Sequence, residues 1–384
     1  MTMHPKAEAA LREKFSKLVA SIRIGSNNTW ALDWEHLNPL TAQLAKEKSE
    51  YLSPLDAVDL VYDVIYPNEP ETTDPSAKAV TPTIHDKLVN DFIKAIHHIP
   101  TKIDYSFPLP RITLKLFNDL AINDTERFEF RPYKNSDNSV TEILFFTTTV
   151  KGYWSYDFDS PTPREALSRL KAAMQFLQGD DIFYSTKYHW SDFVFEGPPS
   201  LLNAAINYQT PFKQSTLDIE LPRSISDFLS GLFLSPSRLA QKRTTTTNIQ
   251  NDLEHSIARM ARLLQSDHPH SDKIRAAAEW QIDAQSTHNE TMALIQLCIG
   301  LESIYGDDSP NGGLTETLSD RCAYSLATSH HERTRIKKEF KEIYKLRSKI
   351  VHGVINNLKP EDRIHSRNAL KLLRDSIKRE SGLL

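Results

Sequence analysis

The residue pattern predicts an α+β protein in two parts: a mixed α and antiparallel-β region over residues 1–248, then an all-α helical bundle over 249–384. Three observations carry that division. Helical periodicity near the N-terminus gives way to alternating, β-branched segments in the middle of the chain. The polar segment KRTTTTN (Lys242–Asn248) ends in cap-forming residues, and everything after it has a helical period. A chain of 384 residues, 39% hydrophobic and 25% charged, is long enough for two ordinary cores and has a globular composition.

In the first part the pattern is helical from Pro5 to Ile22, and a Ser-Pro start opens a second helix over Ser53–Ile65. Tyr66–Thr83 carries four prolines and reads as an exposed loop, followed by a short helix over His85–His98. Strands are predicted at Arg111–Phe117, Arg127–Tyr133 and Glu142–Trp154, with Asn135–Ser139 as a hairpin connection. An amphipathic helix follows from Pro161, with Pro163 in its first turn and Gly179 after its end. Further strands are expected at Ile182–Tyr188, Asp192–Glu196 and Thr216–Leu221, giving an antiparallel sheet with a helix packed on it.

The second part reads as six helices, at Ile249–Gln265, Asp272–Gln285, Glu290–Tyr305, Leu314–Leu326, Glu332–His352 and Pro360–Arg379. Short connections between them make an up-and-down bundle the expected architecture.

No window approaches 18 consecutive apolar residues, and the N-terminal MTMHPKAEAALREKF is charged where a secretion signal would be apolar, so a cytoplasmic protein without a membrane partner is expected. Cys298 and Cys322 lie in apolar helical segments and are expected as buried free thiols. Charge is uneven: residues 331–384 carry 15 Lys/Arg against 7 Asp/Glu, whereas residues 1–248 carry 26 against 31. A polyanion would prefer the C-terminal end, although Lys and Arg on a solvated helix face are an equally simple account.

The stretch YKLRSKIVHGVINN (Tyr344–Asn357) carries the chemistry. On a helical wheel Ile336, Phe340, Ile343, Arg347 and Ile350 recur at steps of four and three, so Arg347 occupies a core-stripe position. A guanidinium there needs a carboxylate, a phosphate or a wet interface. His352, five residues on, lies about 140° around the helix, so one helix does not aim both side chains at one small target. Two copies meeting at a twofold axis can. Gly353 fits a helix stop, which leaves His352 in the last turn, where the helix dipole favours an imidazolium.

Arg347-Ser348, the four residues between Arg347 and His352, and Gly353 together resemble the arginine–histidine motif of HEPN domains, in the Apea-like branch with its RSxxVHG ending. ALIQLCIGLESIYG (Ala293–Gly306) and LSDRCAYSL (Leu318–Leu326) are similar to the LE and LxxRxA helices that precede that motif. The resemblance covers about Ile249 to Glu380. It implies a dimerising helical bundle acting as a metal-independent endoribonuclease without a cofactor, in a toxin or anti-phage defence role. RNA is then the substrate, and an antitoxin or a phage-derived trigger the implied partner class. It also implies Arg347 and His352 as the catalytic pair, shared across a homodimer, and Ser348, Glu302 and Arg321 in support. Glu302 and Arg321 read equally as a structural pair inside the bundle.

His268-Pro269-His270 lacks the spacing of a helical metal site, and no phosphate-binding glycine loop or nucleophile elbow occurs. Trp154, Tyr156, Tyr184, Tyr188 and Trp190 could stack bases, but such residues more often pack across strands. The competing account is a catalytically silent bundle that dimerises or holds RNA, with Arg347 in a structural ion pair.

Overall fold

A computed structural model describes residues 3–25, 27–72, 74, 78–134, 139–185, 201–235, 246–306 and 314–383. The chain opens with α1 (Pro5–Ala20), the short strands β1 (Arg23–Ile24) and β2 (Trp30–Ala31), α2 (Trp34–Glu47), α3 (Pro54–Ile65) and α4 (Pro82–His98). Strands β3 (Thr101–Leu109), β4 (Leu120–Ala121), β5 (Glu126–Lys134) and β6 (Val140–Gly152) lead to α5 (Pro161–Gly179). Then come β7 (Phe183–Ser185), β8 (Asn203–Gln209), β9 (Gln214–Glu220), α6 (Arg223–Ser230) and β10 (Leu232–Leu234). The remainder is helical: α7 (Thr246–Gln265), α8 (Pro269–Ser286), α9 (Glu290–Tyr305), α10 (Leu314–Leu326), α11 (His330–Val351) and α12 (Arg363–Ser381).

Two compact units result, neither contiguous in sequence: residues 1–106, 149–167 and 204–219 form the first, and 107–148, 168–203 and 220–384 the second. The expected boundary between Asn248 and Ile249 therefore falls inside the second unit. The reason is physical. The C-terminal half of α5 is tied to α8 by Ser168 Oγ donating to Glu279 at 2.6 Å and by the Lys171–Asp283 ion pair at 2.7 Å, and Arg169 donates to the buried Glu126 of β5 at 2.6 Å.

In the first unit α1 packs on α2 and α4, and α3 on the same two helices. Their facing Leu, Val, Ile and Phe side chains make one apolar cluster in which Phe15 and Phe92 stack at 4.0 Å. Ser53 and Asp56 form a capping box that starts α3. The sequence did not anticipate α2, whose Pro39 interrupts the pattern; Asp33 caps it by accepting from the Glu35 N–H at 3.0 Å. Strand β3 pairs antiparallel with β8, from Ile103↔Tyr208 to Ser106↔Ala205, and β9 follows β8 through a turn closed by Thr210 N–H donating to Lys213 C=O at 2.8 Å.

In the second unit β4, β5 and β6 form an antiparallel meander with β5 and β6 registered from Glu126↔Thr148 to Lys134↔Val140, and β7 pairs with β10. The hairpin connection expected at Asn135–Ser139 falls on residues 135–138, which lie outside the described ones, as do the strand expected at Asp192–Glu196 and part of Ile182–Tyr188. Arg111–Phe117 is not a strand. Its Ile112, Leu114 and Phe117 are buried in an irregular segment ending in a 3-10 turn, so burial produced the alternation without a ladder.

The helical part of this unit is built on the α8–α9 hairpin, with α12 packed on both and α11 against α10 and α12. Gly300 permits α9 to pack tightly on α12, since a Cβ there would stand 2.7 Å from Leu373 Cδ2. Cys298 and Cys322 are buried free thiols, each pushed up to about 12 chiefly by burial. Among the described residues no helix is long and apolar enough to cross a membrane.

Candidate active site

Both ends of α11 are written in its sequence. Ser329 accepts from the Glu332 N–H at 3.2 Å and Glu332 reaches back to the Thr328 N–H at 3.0 Å, satisfying donors that the first turn leaves free. At the other end His352 is the C-cap and Gly353 takes a left-handed φ of +71°. Val354 N–H then donates to Lys349 C=O at 2.8 Å and Gly353 N–H to Ile350 C=O at 2.9 Å, the paired bonds of a Schellman stop.

Along the predicted stripe Ile336, Phe340 and Ile343 are buried, and Phe340 stacks on Tyr344 at 4.5 Å. Arg347 continues the stripe but is only partly buried. Its Nη2 stands 3.3 Å from Oε1 of Glu302 on α9, and the two side chains are 30% and 25% exposed. The pair has ion-pair distance without hydrogen-bond geometry. Glu302 Oε1 and Arg347 Nε are both buried atoms with no hydrogen-bond partner among the described residues. Beside them the Tyr344 hydroxyl donates to Cys298 C=O at 3.2 Å, and burial pushes that phenol far up, so neither Tyr344 nor Cys298 titrates near neutrality.

His352 and Ser348 are exposed, and among the described residues the imidazole of His352 makes no hydrogen bond or ion pair. Within one chain Arg347 faces Glu302, and no bond links it to His352. Arg321, on α10, donates to Tyr305 C=O at 2.7 Å and so satisfies a carbonyl at the end of α9. Of the five sequence-derived residues, one chain thus unites Arg347 with Glu302 and spreads the other three around them. Exposed Val351 and Val354, 51% and 71% accessible, flank His352.

The basic excess expected over residues 331–384 includes one face of α11, an arrangement that the charge count alone did not give. His330, Thr334, Lys337, Lys341, Lys345, Ser348 and His352 recur at steps of four and three, within a sector of about 80°. Its first half lines a groove with α10, where Tyr324 is 67% exposed and the Arg333 guanidinium lies 4.7 Å over its ring.

The two histidines of the His268-Pro269-His270 segment have other partners. His268 caps α8 by accepting from the His270 N–H at 3.1 Å, and His270 pairs with Glu380 at 3.0 Å. Trp154 stacks on Tyr208 at 5.0 Å, a packing contact, while Tyr188 and Trp190 lie outside the described residues. Compared with known proteins, the chain matches no family model, no curated protein and no solved structure.

Proposed function

We propose that this chain is a metal-independent endoribonuclease of the HEPN type, acting in a toxin or anti-phage defence role, whose site is assembled from two copies of α11. The observation that carries this reading is the state of the end of α11. An arginine with an unsatisfied buried Nε and a partly accessible guanidinium sits one and a half turns before an exposed, unshared histidine. A single chain holds them apart, and the exposed Val351 and Val354 beside His352 offer apolar surface for a second copy to cover.

In the composite site His352 takes the proton of a ribose 2′-OH, whose oxygen attacks the adjacent phosphorus. The P–O5′ bond breaks as a proton is returned to the leaving oxygen, and the guanidinium of Arg347 stabilises the charge that builds on the phosphorane. Glu302 holds Arg347 in place. The substrate supplies its own nucleophile, so the expected products are 2′,3′-cyclic phosphate and 5′-hydroxyl ends, formed in the presence of EDTA. An antitoxin or phage-derived trigger would act by blocking or releasing the dimer.

The second reading, a silent module that dimerises or holds RNA, is favoured by the 3.3 Å approach of Arg347 to Glu302, since an arginine used to join α9 to α11 needs no substrate. Incubating the purified protein with single-stranded RNA and with DNA of the same sequence in EDTA separates the two. Cleavage of the RNA alone, by a species that light scattering sizes as a dimer, supports the nuclease. RNA left intact, by a dimer or a monomer, supports the silent module.

A further inference from the structure

We propose that the exposed face of α11 is a track for single-stranded RNA, entered at an aromatic platform on Tyr324 and Arg333 and leading along Lys337, Lys341 and Lys345 to His352. The end point of the track rests on the ribonuclease reading, but the track itself does not. Four features point to this ligand.

The first is charge. Between His330 and Val351, α11 holds eight Lys or Arg, at 333, 335, 337, 338, 341, 345, 347 and 349, against three Glu, at 332, 339 and 342, a net +5. Among the described residues no carboxylate lies within ion-pair distance of Arg333, Lys338, Lys345 or Lys349. The groove also contains acid: Lys337 pairs with Asp320 and, at 3.5 Å, with Glu316, and Lys341 with Glu316 at 2.6 Å. All of these side chains are between 32% and 55% exposed. Such pairs contribute little in water, and a phosphate can replace the carboxylate.

The second is the platform. Tyr324 is two-thirds exposed, and one side of its ring is held by Arg333. Arg333 Nε is a buried atom with no hydrogen-bond partner among the described residues. An exposed ring beside a cation without a carboxylate suits an unpaired base and its phosphate. The third is continuity. The groove has a volume of about 420 Å³, and the face that lines it runs on without an apolar break through Lys345 and Ser348 to His352, about 33 Å in all. The fourth is shape. A narrow strip on one helix can follow a single strand and stack one base, whereas the carboxylates of an acidic peptide do not stack on the Tyr324 ring.

The test titrates the full-length protein with a fluorescein-labelled 2′-O-methyl oligouridylate, which lacks the nucleophile and so cannot be cut, at several salt concentrations. The Lys337→Ala/Lys341→Ala/Lys345→Ala variant is expected to bind at least tenfold more weakly and to lose about two units from the slope of log K against log salt. Tyr324→Ala is expected to bind about tenfold more weakly with the slope unchanged, because it removes stacking and no charge. With cleavable RNA the triple variant should raise KM for a long strand by a larger factor than for a dinucleotide. Wild-type affinity and slope in the triple variant would overturn the track. So would polyglutamate competing as well as the oligonucleotide. If the wild type binds in this manner and cuts nothing, the ribonuclease reading fails and the track stands.

Discussion

Two helices carry charged residues on faces where apolar ones are expected, and they treat them in opposite ways. On α3, in the first unit, the charges are acidic and mostly consumed. Asp63 accepts from the Tyr153 hydroxyl at 3.0 Å and from Trp154 Nε1 at 2.9 Å, and buried Asp56 accepts from Ser53 N–H at 2.8 Å and Ser160 Oγ at 3.1 Å. On α11, in the second unit, the charges are basic and only half of them are spent: Arg335, Lys337, Lys341 and Arg347 have a carboxylate within ion-pair distance, and among the described residues Arg333, Lys338, Lys345 and Lys349 have none. Arg347 has one ion-pair contact and an unsatisfied Nε, and Lys338, Lys345 and Lys349 face solvent. A charge whose hydrogen-bonding capacity is used up inside the fold is there for the fold. One that the fold leaves with capacity to spare is the better candidate for a ligand.

The largest effect that could break this contrast concerns His352. Because the fold asks only for its backbone as a helix cap, His352→Ala should cut RNA about 10²–10⁴-fold more slowly with an unchanged melting curve, as expected for loss of a general acid–base group. Cleavage at the wild-type rate would remove His352 from the chemistry and overturn the site proposed at the end of α11.

Asp63→Ala is next, and its effect should fall on stability alone. Removing the carboxylate strands the Tyr153 hydroxyl and the Trp154 indole N–H together, at a cost of about 2–4 kcal/mol. Urea unfolding would measure it. A loss of under about 0.5 kcal/mol would mean that both donors find water, and α3 would no longer serve as the structural member of the comparison.

Arg347→Met sharpens the same contrast from the other side. The ion pair is partly solvated and lacks hydrogen-bond geometry, so its loss should change stability by less than about 1 kcal/mol while abolishing cleavage. A loss above about 3 kcal/mol is what a buried structural pair would give, and would favour the silent module.

What the sequence discloses follows from which interactions are local. Caps and periodicity fix the bundle helices closely, and Glu290–Tyr305 and Leu314–Leu326 agree at both ends, because Asn289, Gly306 and the apolar repeat act within a turn of each boundary. Gly353 likewise announces its left-handed φ and the place of His352. Non-local facts were out of reach. The Arg347–Glu302 approach depends on how α9 meets α11, and the joining of α5 to α8 decides which segments share a core. Strand β8 was missed although Ala204, Ile206 and Tyr208 alternate inward, because its short residues carry little β signal of their own. The basic excess of residues 331–384 is legible as a charge count, but its gathering into one stripe of α11 shows only on the helical wheel, where it shares the period of the apolar repeat.

The smallest expected effect tests the one acid on α3 that the fold does not satisfy. Asp59 lies between Asp56 and Asp63, its Oδ2 is a buried atom with no hydrogen-bond partner among the described residues, and burial followed by those two neighbouring charges raises its pKa from 3.8 to about 6. The folded chain therefore holds a proton between about pH 4 and 6 that the unfolded chain releases. That proton favours folding at low pH, and the benefit is lost as pH rises through about 6. Above that pH the wild type carries a poorly solvated carboxylate, which Asp59→Asn removes. The variant should be more stable than the wild type at pH 8, by under about 1 kcal/mol because the side chain is partly screened by solvent, and the advantage should shrink as pH falls from about 6 to about 4. Melting temperatures at pH 8 and about pH 4.5 decide it. An advantage of the same size at both would mean that the introduced amide gains by packing and not by removing charge, and α3 would then hold no unspent acid at all.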